Sequence, residues 1–422
     1  MKPSSLLAGL IFTSLLAAAH ATPSPSSPAE QRIALAQRAI EKNPQRHEAH
    51  AQLALAFAQR ARETADTAYY DRAEAALAQS LKLAPGNLEA RRVHVWVLLG
   101  KHEFARALEE ARALNKIIPD DVQIYGYLAD AHIELGNYDD AERAAQWMLD
   151  LRPGNIPGLA RAAYLRELFG DIEGSLDLMA QAYQRTPPAE REDRAWILTH
   201  MAHLHLLDNQ PSRADALLAQ ALELFPGYHY ALAQLAKVRQ AQGRLADAVA
   251  LLRQHVEAAP HPENYFYLGE ALAQSGHADE AAAVFKQFAA AAEAESASWD
   301  NANRELIAYY ADHADRARDA LKLAEAEIAR RQDVYTLDAW AWALYRNGQF
   351  AQAQQAIARA LAVGVRDPKL HYHAGMIAHA LGAHAQAREH LETALRFAPW
   401  AEFAPAARAA LQPGAASAAP SA

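Results

Sequence analysis

Cysteine is absent from the 422 residues of this chain. That absence excludes disulfide bonds, thiolate metal sites, haem attached through cysteine, and a cysteine nucleophile. It also excludes a lipid anchor on cysteine. The stability of the fold must therefore come from packing, hydrogen bonds and ion pairs.

Glycine and proline are scarce, with 18 and 20 residues, which is too few for a β-rich chain with many turns. Hydrophobic residues make up 51% of the chain, and many of them are alanine, the strongest helix former. A chain of this length exceeds what one compact core organises. The composition therefore predicts an all-α protein that grows in one dimension as a solenoid.

A basic surface is also missing. The chain has 41 Lys and Arg against 50 Asp and Glu, and its formal net charge is −9. Charges of both signs are mixed along the sequence, without the basic stripe that phosphate binding requires. We therefore expect no nucleic-acid partner.

The N-terminus carries the pattern of a secretory signal peptide. Lys2 is followed by an apolar run over residues 6–19, and Ala19-His20-Ala21 is typical of a cleavage site. We predict a signal peptide over residues 1–21; the alternative is an uncleaved membrane anchor, for which the run is short. No later stretch reaches the roughly 18 apolar residues of a spanning helix, so we expect no transmembrane segment in the mature chain. This pattern predicts export, to the periplasm of a Gram-negative cell.

Prolines recur at a nearly constant interval. Successive gaps are 34, 34, 34, 39 and 34 residues. Each proline follows an amphipathic stretch, and because proline cannot continue a helix, each one marks a helix end. The series is Pro85, Pro119, Pro153, Pro187, Pro226 and Pro260.

The clearest unit covers residues 122–155. Two apolar stripes at helical spacing flank the turn Gly136-Asn137, whose residues tolerate left-handed backbone angles. The unit is therefore predicted to be a helix-turn-helix. The stripes are Tyr125, Leu128 and Ala129, and then Ala141, Ala145 and Met148.

This pattern resembles the tetratricopeptide repeat: a large residue, Leu, a small residue, a turn, Ala, a large residue and Pro. Further units that match it contain Leu235, Leu268, Trp340 and Ala374. The resemblance implies a right-handed superhelical solenoid of nine or ten units over residues 47–400. Together with the signal peptide, it indicates an exported bacterial member of the family.

The flanks of the array differ from its units. Residues 22–46 are predicted to be a linker and an N-terminal capping helix, and residues 401–422 a capping helix and a disordered Ala/Pro/Ser tail. The unit near Asn301 to Asp333 lacks the turn glycine and the closing proline. A break between two arrays near residues 290–333 therefore stays open as an alternative.

In this family, the first helix of each unit lines a concave groove. The resemblance therefore implies partner-binding positions there, and aromatic and charged side chains are common interface anchors. The alternative for any one aromatic residue is the core; of the two tryptophans near residue 340, Trp340 is expected in the core. The predicted groove residues are Trp96, Tyr164, Lys237, Phe266, Glu270, Trp342, Tyr345, Arg346 and Tyr372.

Catalytic and metal-binding motifs are not found in the sequence. His200, His203 and His205 lie close together, but their spacing and the lack of an HExxH motif do not favour a metal site. No glycine-rich phosphate loop or G-x-S-x-G motif is present. We therefore expect no cofactor, no metal and no enzymatic activity.

Two functions remain as hypotheses. The first is a periplasmic protein-interaction scaffold or assembly adaptor, which binds a protein or peptide partner of the cell envelope in the concave groove. The second is a polysaccharide-associated binding protein of the envelope, in which Trp96, Trp342 and Tyr345 stack on sugars. The residues by themselves do not name the partner.

Overall fold

The structure is a computed structural model that describes residues 27–298 and 301–412, and within these residues it is entirely helical. The 22 helices are α1 Pro28–Lys42, α2 His47–Thr64, α3 Ala68–Leu83, α4 Leu88–Gly100, α5 Phe104–Ile117, α6 Val122–Glu134, α7 Tyr138–Leu151, α8 Ile156–Leu168, α9 Ile172–Arg185, α10 Arg191–Leu207, α11 Pro211–Leu224, α12 His229–Ala241, α13 Leu245–Ala258, α14 Pro262–Gln274, α15 Ala278–Glu295, α16 Asn303–Asp312, α17 Ala317–Ile328, α18 Val334–Arg346, α19 Phe350–Leu361, α20 Pro368–Ala380, α21 His384–Phe397 and α22 Ala404–Ala410.

Helices α2 to α21 pack as ten antiparallel pairs, α2 with α3 through α20 with α21. Each pair is one helix-turn-helix unit, and successive units stack against each other. The chain is thus a helical repeat solenoid, the fold class that the proline spacing predicted. Helices α1 and α22 stand at its two ends, where capping helices were predicted.

Small residues let the two helices of a unit approach closely. A Cβ atom at Gly269 would lie 2.6 Å from the ring of Phe285, and one at Gly375 would lie 2.6 Å from Leu391. Ala141 and Ala353 are fully buried at the same kind of crossing. The small positions of the repeat are therefore small because a neighbouring helix occupies the space.

The turns inside the units use left-handed backbone. Gly136, Gly243 and Gly348 have φ angles between 71° and 74°. In the unit that lacks a turn glycine, Asp315 takes this conformation with φ 51°, which aspartate tolerates better than most residues. The irregular unit thus keeps the same turn geometry.

The apolar core continues through the segment where a break was considered. Phe288 and Ala292 of α15 belong to the same buried cluster as Ala302, Leu306 of α16 and Val334 of α18. Packing within the described residues therefore joins the units on either side of residues 299–300 into one array.

Distant units also contact each other, because the superhelix closes on itself. Arg62 of α2 lies 2.7 Å from the Asp193 carboxylate of α10. The guanidinium of Arg331, before α18, lies 2.9 Å from the Glu134 carboxylate at the end of α6. These contacts join parts of the chain that are not sequence neighbours and enclose an inner space.

The C-terminal end closes the same inner space. The side chain of Gln274 donates a hydrogen bond of 2.9 Å to the backbone carbonyl of Trp400. Arg366, before α20, lies 3.4 Å from Asp208, after α10. The last units therefore fold back against the middle of the array.

The predicted signal peptide and most of the predicted disordered tail lie outside the described residues. Inside them, each helix is too short or too polar to cross a membrane.

Candidate functional site

Three cavities follow one another inside the superhelix, with volumes of about 420, 340 and 590 Å³. Phe266 and Tyr267 line both the first and the second, and Trp342 and His373 line both the second and the third. We call the three together the inner channel. Each volume lies in the range of ligand-binding pockets.

The first helices of successive units supply most of the channel wall, as the family resemblance implied. Helices α12, α14, α16, α18 and α20 all contribute, and the segment around α22 covers one side. The predicted concave groove is therefore a channel that the C-terminal segment covers on one side.

Lys237 of α12 extends into the first cavity, where its side chain is exposed. Within the described residues its ammonium group makes no hydrogen bond and no ion pair. Desolvation by the protein around the channel lowers the pKa of Lys237, and the nearby carboxylates of Asp367 and Glu402 oppose that shift. This predicted groove residue thus presents an unpaired cation to the channel.

Lys369 of α20 lines all three cavities. Its ammonium group lies 3.3 Å from the Glu402 carboxylate. Burial acts to lower the pKa of Lys369, but Glu402 and Glu270 together raise it above its usual value. The ammonium group therefore stays charged, and this ion pair joins α20 to the C-terminal segment.

Two tyrosines of the channel were not predicted from the sequence. Tyr230 of α12 and Tyr267 of α14 line the first cavity, and each is 41% exposed. Tyr230 lies seven residues before Lys237, and Tyr267 lies three residues before Glu270. Helical periodicity places them on the same faces as those two predicted positions, which is the signal that could have found them.

Three of the predicted anchors are buried. Phe266, Trp342 and Tyr345 are only 4%, 5% and 6% exposed. The indole of Trp342 stacks on Tyr345 and on His373, with ring centroids 4.7 and 4.1 Å apart. These residues line the channel, but packing leaves little of their rings open to a ligand.

The expectation for the tryptophan pair was wrong. Trp342 is the buried core residue, whereas Trp340 is only partly buried. The reason is that Trp342 points into the superhelix, where its Nε1 donates to the Asp312 carboxylate at 3.0 Å. Helical spacing alone does not show which of two neighbouring faces another turn covers.

Three further predicted residues meet in the third cavity. The guanidinium of Arg346 lies 3.1 Å from the Asp312 carboxylate. His313 Nε2 lies 2.5 Å from Glu270 Oε1. The ring of Tyr372 stacks on Phe403, with centroids 4.9 Å apart. The structure thus brings Glu270, Arg346 and Tyr372 together on one wall.

The other two predicted residues lie elsewhere. Trp96 is partly buried between two apolar clusters of the first units. Tyr164 lines a separate cavity of about 140 Å³, together with Glu134 and Arg331. The structure does not bring these two residues to the inner channel.

The histidine run of α10 packs on a carboxylate. His200 Nε2 and His203 Nε2 lie 2.8 and 3.1 Å from the two oxygens of buried Glu167. Although burial opposes it, the two histidines lower the pKa of Glu167. Within residues 27–298 and 301–412, His, Asp and Glu side chains form no cluster of three or more suited to a metal ion.

Family models of the tetratricopeptide repeat match three segments of the chain. One model matches residues 92–156 and 339–402, and a second matches residues 205–268. These segments of the chain therefore contain tetratricopeptide repeats, as the repeat pattern predicted. Such repeats support a role as a protein-interaction scaffold.

Solved structures of helical repeat proteins are similar to this chain. PilW, described as a widely conserved type IV pilus biogenesis factor, is 14% identical with a TM-score of 0.42, over 49% of this chain and 93% of PilW. A human IFIT1 dimer with PPP-AAAA is 15% identical with a TM-score of 0.48, over 88% of this chain and 91% of IFIT1. The structure of the human IFIT1 dimer with m7Gppp-AAAA is 15% identical with a TM-score of 0.49, over 87% of this chain and 85% of IFIT1.

A comparison with curated proteins gave no match.

Proposed function

We propose that this protein is a periplasmic scaffold that holds an extended segment of a cell-envelope protein in its inner channel. The observation that carries the proposal is the channel itself. Its wall combines exposed aromatic rings, such as Tyr230 and Tyr267, with the unpaired ammonium group of Lys237. Aromatic rings and a few placed polar groups are typical of sites that bind peptides.

The proposed role is not catalytic. Several carboxylates of the channel already serve the fold: Glu402 pairs with Lys369, Asp312 pairs with Arg346, and Asp367 accepts the first-turn amide of α20. Groups held in this way are suited to shaping a binding surface. They are less suited to exchanging protons with a substrate.

In-cell crosslinking tests the proposed binding site. A photoreactive amino acid in place of Ala233, which lines the first cavity, reports what enters the channel. The matched control is the same substitution at Ala219, which is exposed on α11. We expect a specific envelope protein crosslinked at position 233 and absent at position 219. Identical products from both positions would contradict a channel-bound partner.

The proposed location has its own test. Cell fractionation should place the protein in the periplasm, and mass spectrometry of its N-terminus should find Thr22 as the first residue. A chain that retains Met1 and stays in the cytoplasm would rule out the proposed export.

The polysaccharide alternative has less support. Trp342 and Tyr345 stack on each other, and Trp96 lies away from the inner channel. Tryptophan fluorescence titrated with envelope polysaccharide separates the two functions. A shift with polysaccharide and none with peptide would favour the alternative.

A further inference from the structure

Exposed tyrosine rings are available in the first cavity. Tyr230 of α12 and Tyr267 of α14 both line it, and each keeps 41% of its surface open. Their surroundings contrast with those of Trp342, whose ring is covered by stacked neighbours. The two tyrosines thus offer exposed aromatic surface to a ligand in this cavity.

Two carboxylates accompany these rings. The hydroxyl of Tyr267 donates a hydrogen bond of 2.9 Å to Glu305 of α16. Glu263 lies one helical turn before Tyr267 and lines the same cavity. Desolvation by the surrounding protein, and then Glu263, raise the pKa of Tyr230 to about 12. The pKa of Tyr267 is raised first by Glu305, and then by desolvation and Glu263. Carboxylates therefore lie near both rings.

The channel as a whole carries an excess of negative charge. Seven carboxylates line the three cavities, against four lysine and arginine side chains, a difference of three negative charges with histidine neutral. Because the channel is a concave surface with protein walls, its field is concentrated and attracts cations. The four basic residues are Lys237, Arg304, Arg346 and Lys369.

Basic side chains also lie near the tyrosine pair. Arg304 adjoins Tyr267, but its guanidinium lies 3.6 Å from the buried carboxylate of Asp333. Lys237 lies about two helical turns beyond Tyr230, where it faces Asp367 and Glu402. Over the whole channel, the carboxylates still outnumber the lysine and arginine side chains, so a cationic ligand is favoured.

We propose that Tyr230, Glu263, Tyr267 and Glu305 bind a lysine or arginine side chain of the partner segment. A cation is attracted to the face of a tyrosine ring within about 6 Å, and a carboxylate adds a charged hydrogen bond. This inference rests on the proposed function and adds the chemistry of the partner: the segment in the channel is basic.

Peptide binding to the purified full chain tests the inference directly. The probes are fluorescein-labelled peptides of repeating Gly-Ser-Lys, Gly-Ser-Gln and Gly-Ser-Glu, measured by fluorescence anisotropy. We expect the lysine peptide to bind at least about tenfold more tightly than the glutamine peptide, and the glutamate peptide to bind most weakly.

Variants locate the effect. The double variant Glu263→Gln/Glu305→Gln keeps the size of both side chains and removes their charges. It should weaken binding of the lysine peptide about tenfold and leave binding of the glutamine peptide unchanged. The matched control Glu257→Gln/Glu325→Gln removes two exposed charges outside the channel, and it should leave both peptides unchanged.

A second variant tests the tyrosine ring itself, with folding checked on the same protein. Tyr267→Leu keeps an apolar side chain and removes the ring face, so it should weaken binding of the lysine peptide several-fold. The circular dichroism melt of this variant should stay cooperative.

The outcomes separate this inference from the proposed function. Equal binding of the lysine and glutamine peptides would overturn the cation site and leave the channel as a peptide site. Equal weakening by the channel and control variants would overturn it as well. If no peptide binds while position 233 still crosslinks to a partner, the cation site alone fails; if both experiments find nothing, both proposals fail.

Discussion

The hydroxyl oxygen of Tyr138 accepts a hydrogen bond of 2.9 Å from the backbone N–H of Val334, although 196 residues separate them. Tyr138 begins α7 in the third unit, and Val334 begins α18 in the ninth. In a simple solenoid each unit contacts only its neighbours. Here a contact between distant units adds to the stability and joins the third unit to the ninth.

Removing this acceptor should be measurable. The N–H of Val334 lies in the first turn of α18 and has no partner within the helix, so Tyr138→Phe leaves a buried donor unsatisfied. We expect a loss of about 1–3 kcal/mol in the free energy of unfolding and faster hydrogen exchange at Val334. The control Tyr125→Phe, at a tyrosine outside this contact, should change neither quantity.

Two glycines can be compared to distinguish the cost of a left-handed turn from the cost of disturbing a contact between units. Gly170 and Gly243 both have left-handed φ, 82° and 71°. A Cβ atom at Gly170 would lie 2.6 Å from the Gly364 carbonyl oxygen, whereas one at Gly243 meets nothing within 4 Å.

Both alanine variants carry the left-handed strain, about 1–2 kcal/mol. Gly170→Ala must also push residue 364 away, so we expect it to lose about 1–3 kcal/mol more than Gly243→Ala in urea unfolding. Equal losses would mean that the units around residues 170 and 364 do not touch in solution.

Acid should destabilise the fold through buried histidine. Burial, with smaller effects of His229 and Lys237, lowers the pKa of His255 to about 4. Between about pH 6.5 and 4 the unfolded chain therefore binds a proton that the folded chain does not, and stability falls as pH falls. At pH 5, His255 alone should cost about 2 kcal/mol relative to pH 7.

Urea unfolding at pH 7 and pH 5 measures this loss. His255→Gln should show a smaller difference between the two pH values than the natural chain. His384→Gln, at an exposed histidine, should show the same difference as the natural chain. A difference unchanged by His255→Gln would contradict the assigned role.

A charge inside a unit should be far more harmful than the same charge outside. Ala141 is fully buried between the helices of the third unit, so Ala141→Asp places an unpaired carboxylate in the core. We expect a loss above about 4 kcal/mol, seen as a much lower thermal midpoint by circular dichroism. Ala216→Asp, on the exposed face of α11, should melt near the natural chain; similar melting of both variants would contradict the repeat alignment.

The sequence by itself determined the helices, the unit length and the fold class. These features depend on contacts inside a unit or between neighbours. Prolines end helices such as α13, glycines such as Gly136 make the turns, and small residues such as Gly269 allow the close crossing with Phe285. All of these contacts involve residues close together in the chain, so the repeating sequence pattern is enough to predict them.

The tertiary structure alone decided how the inner surface is used. It buries Trp342 rather than Trp340, leaves Tyr230 and Tyr267 open, and encloses the unpaired Lys237 beneath the C-terminal units. Helical spacing shows that a residue faces away from its own partner helix, but not whether a distant unit covers it. That depends on the curvature of the whole superhelix, to which every unit adds a small rotation.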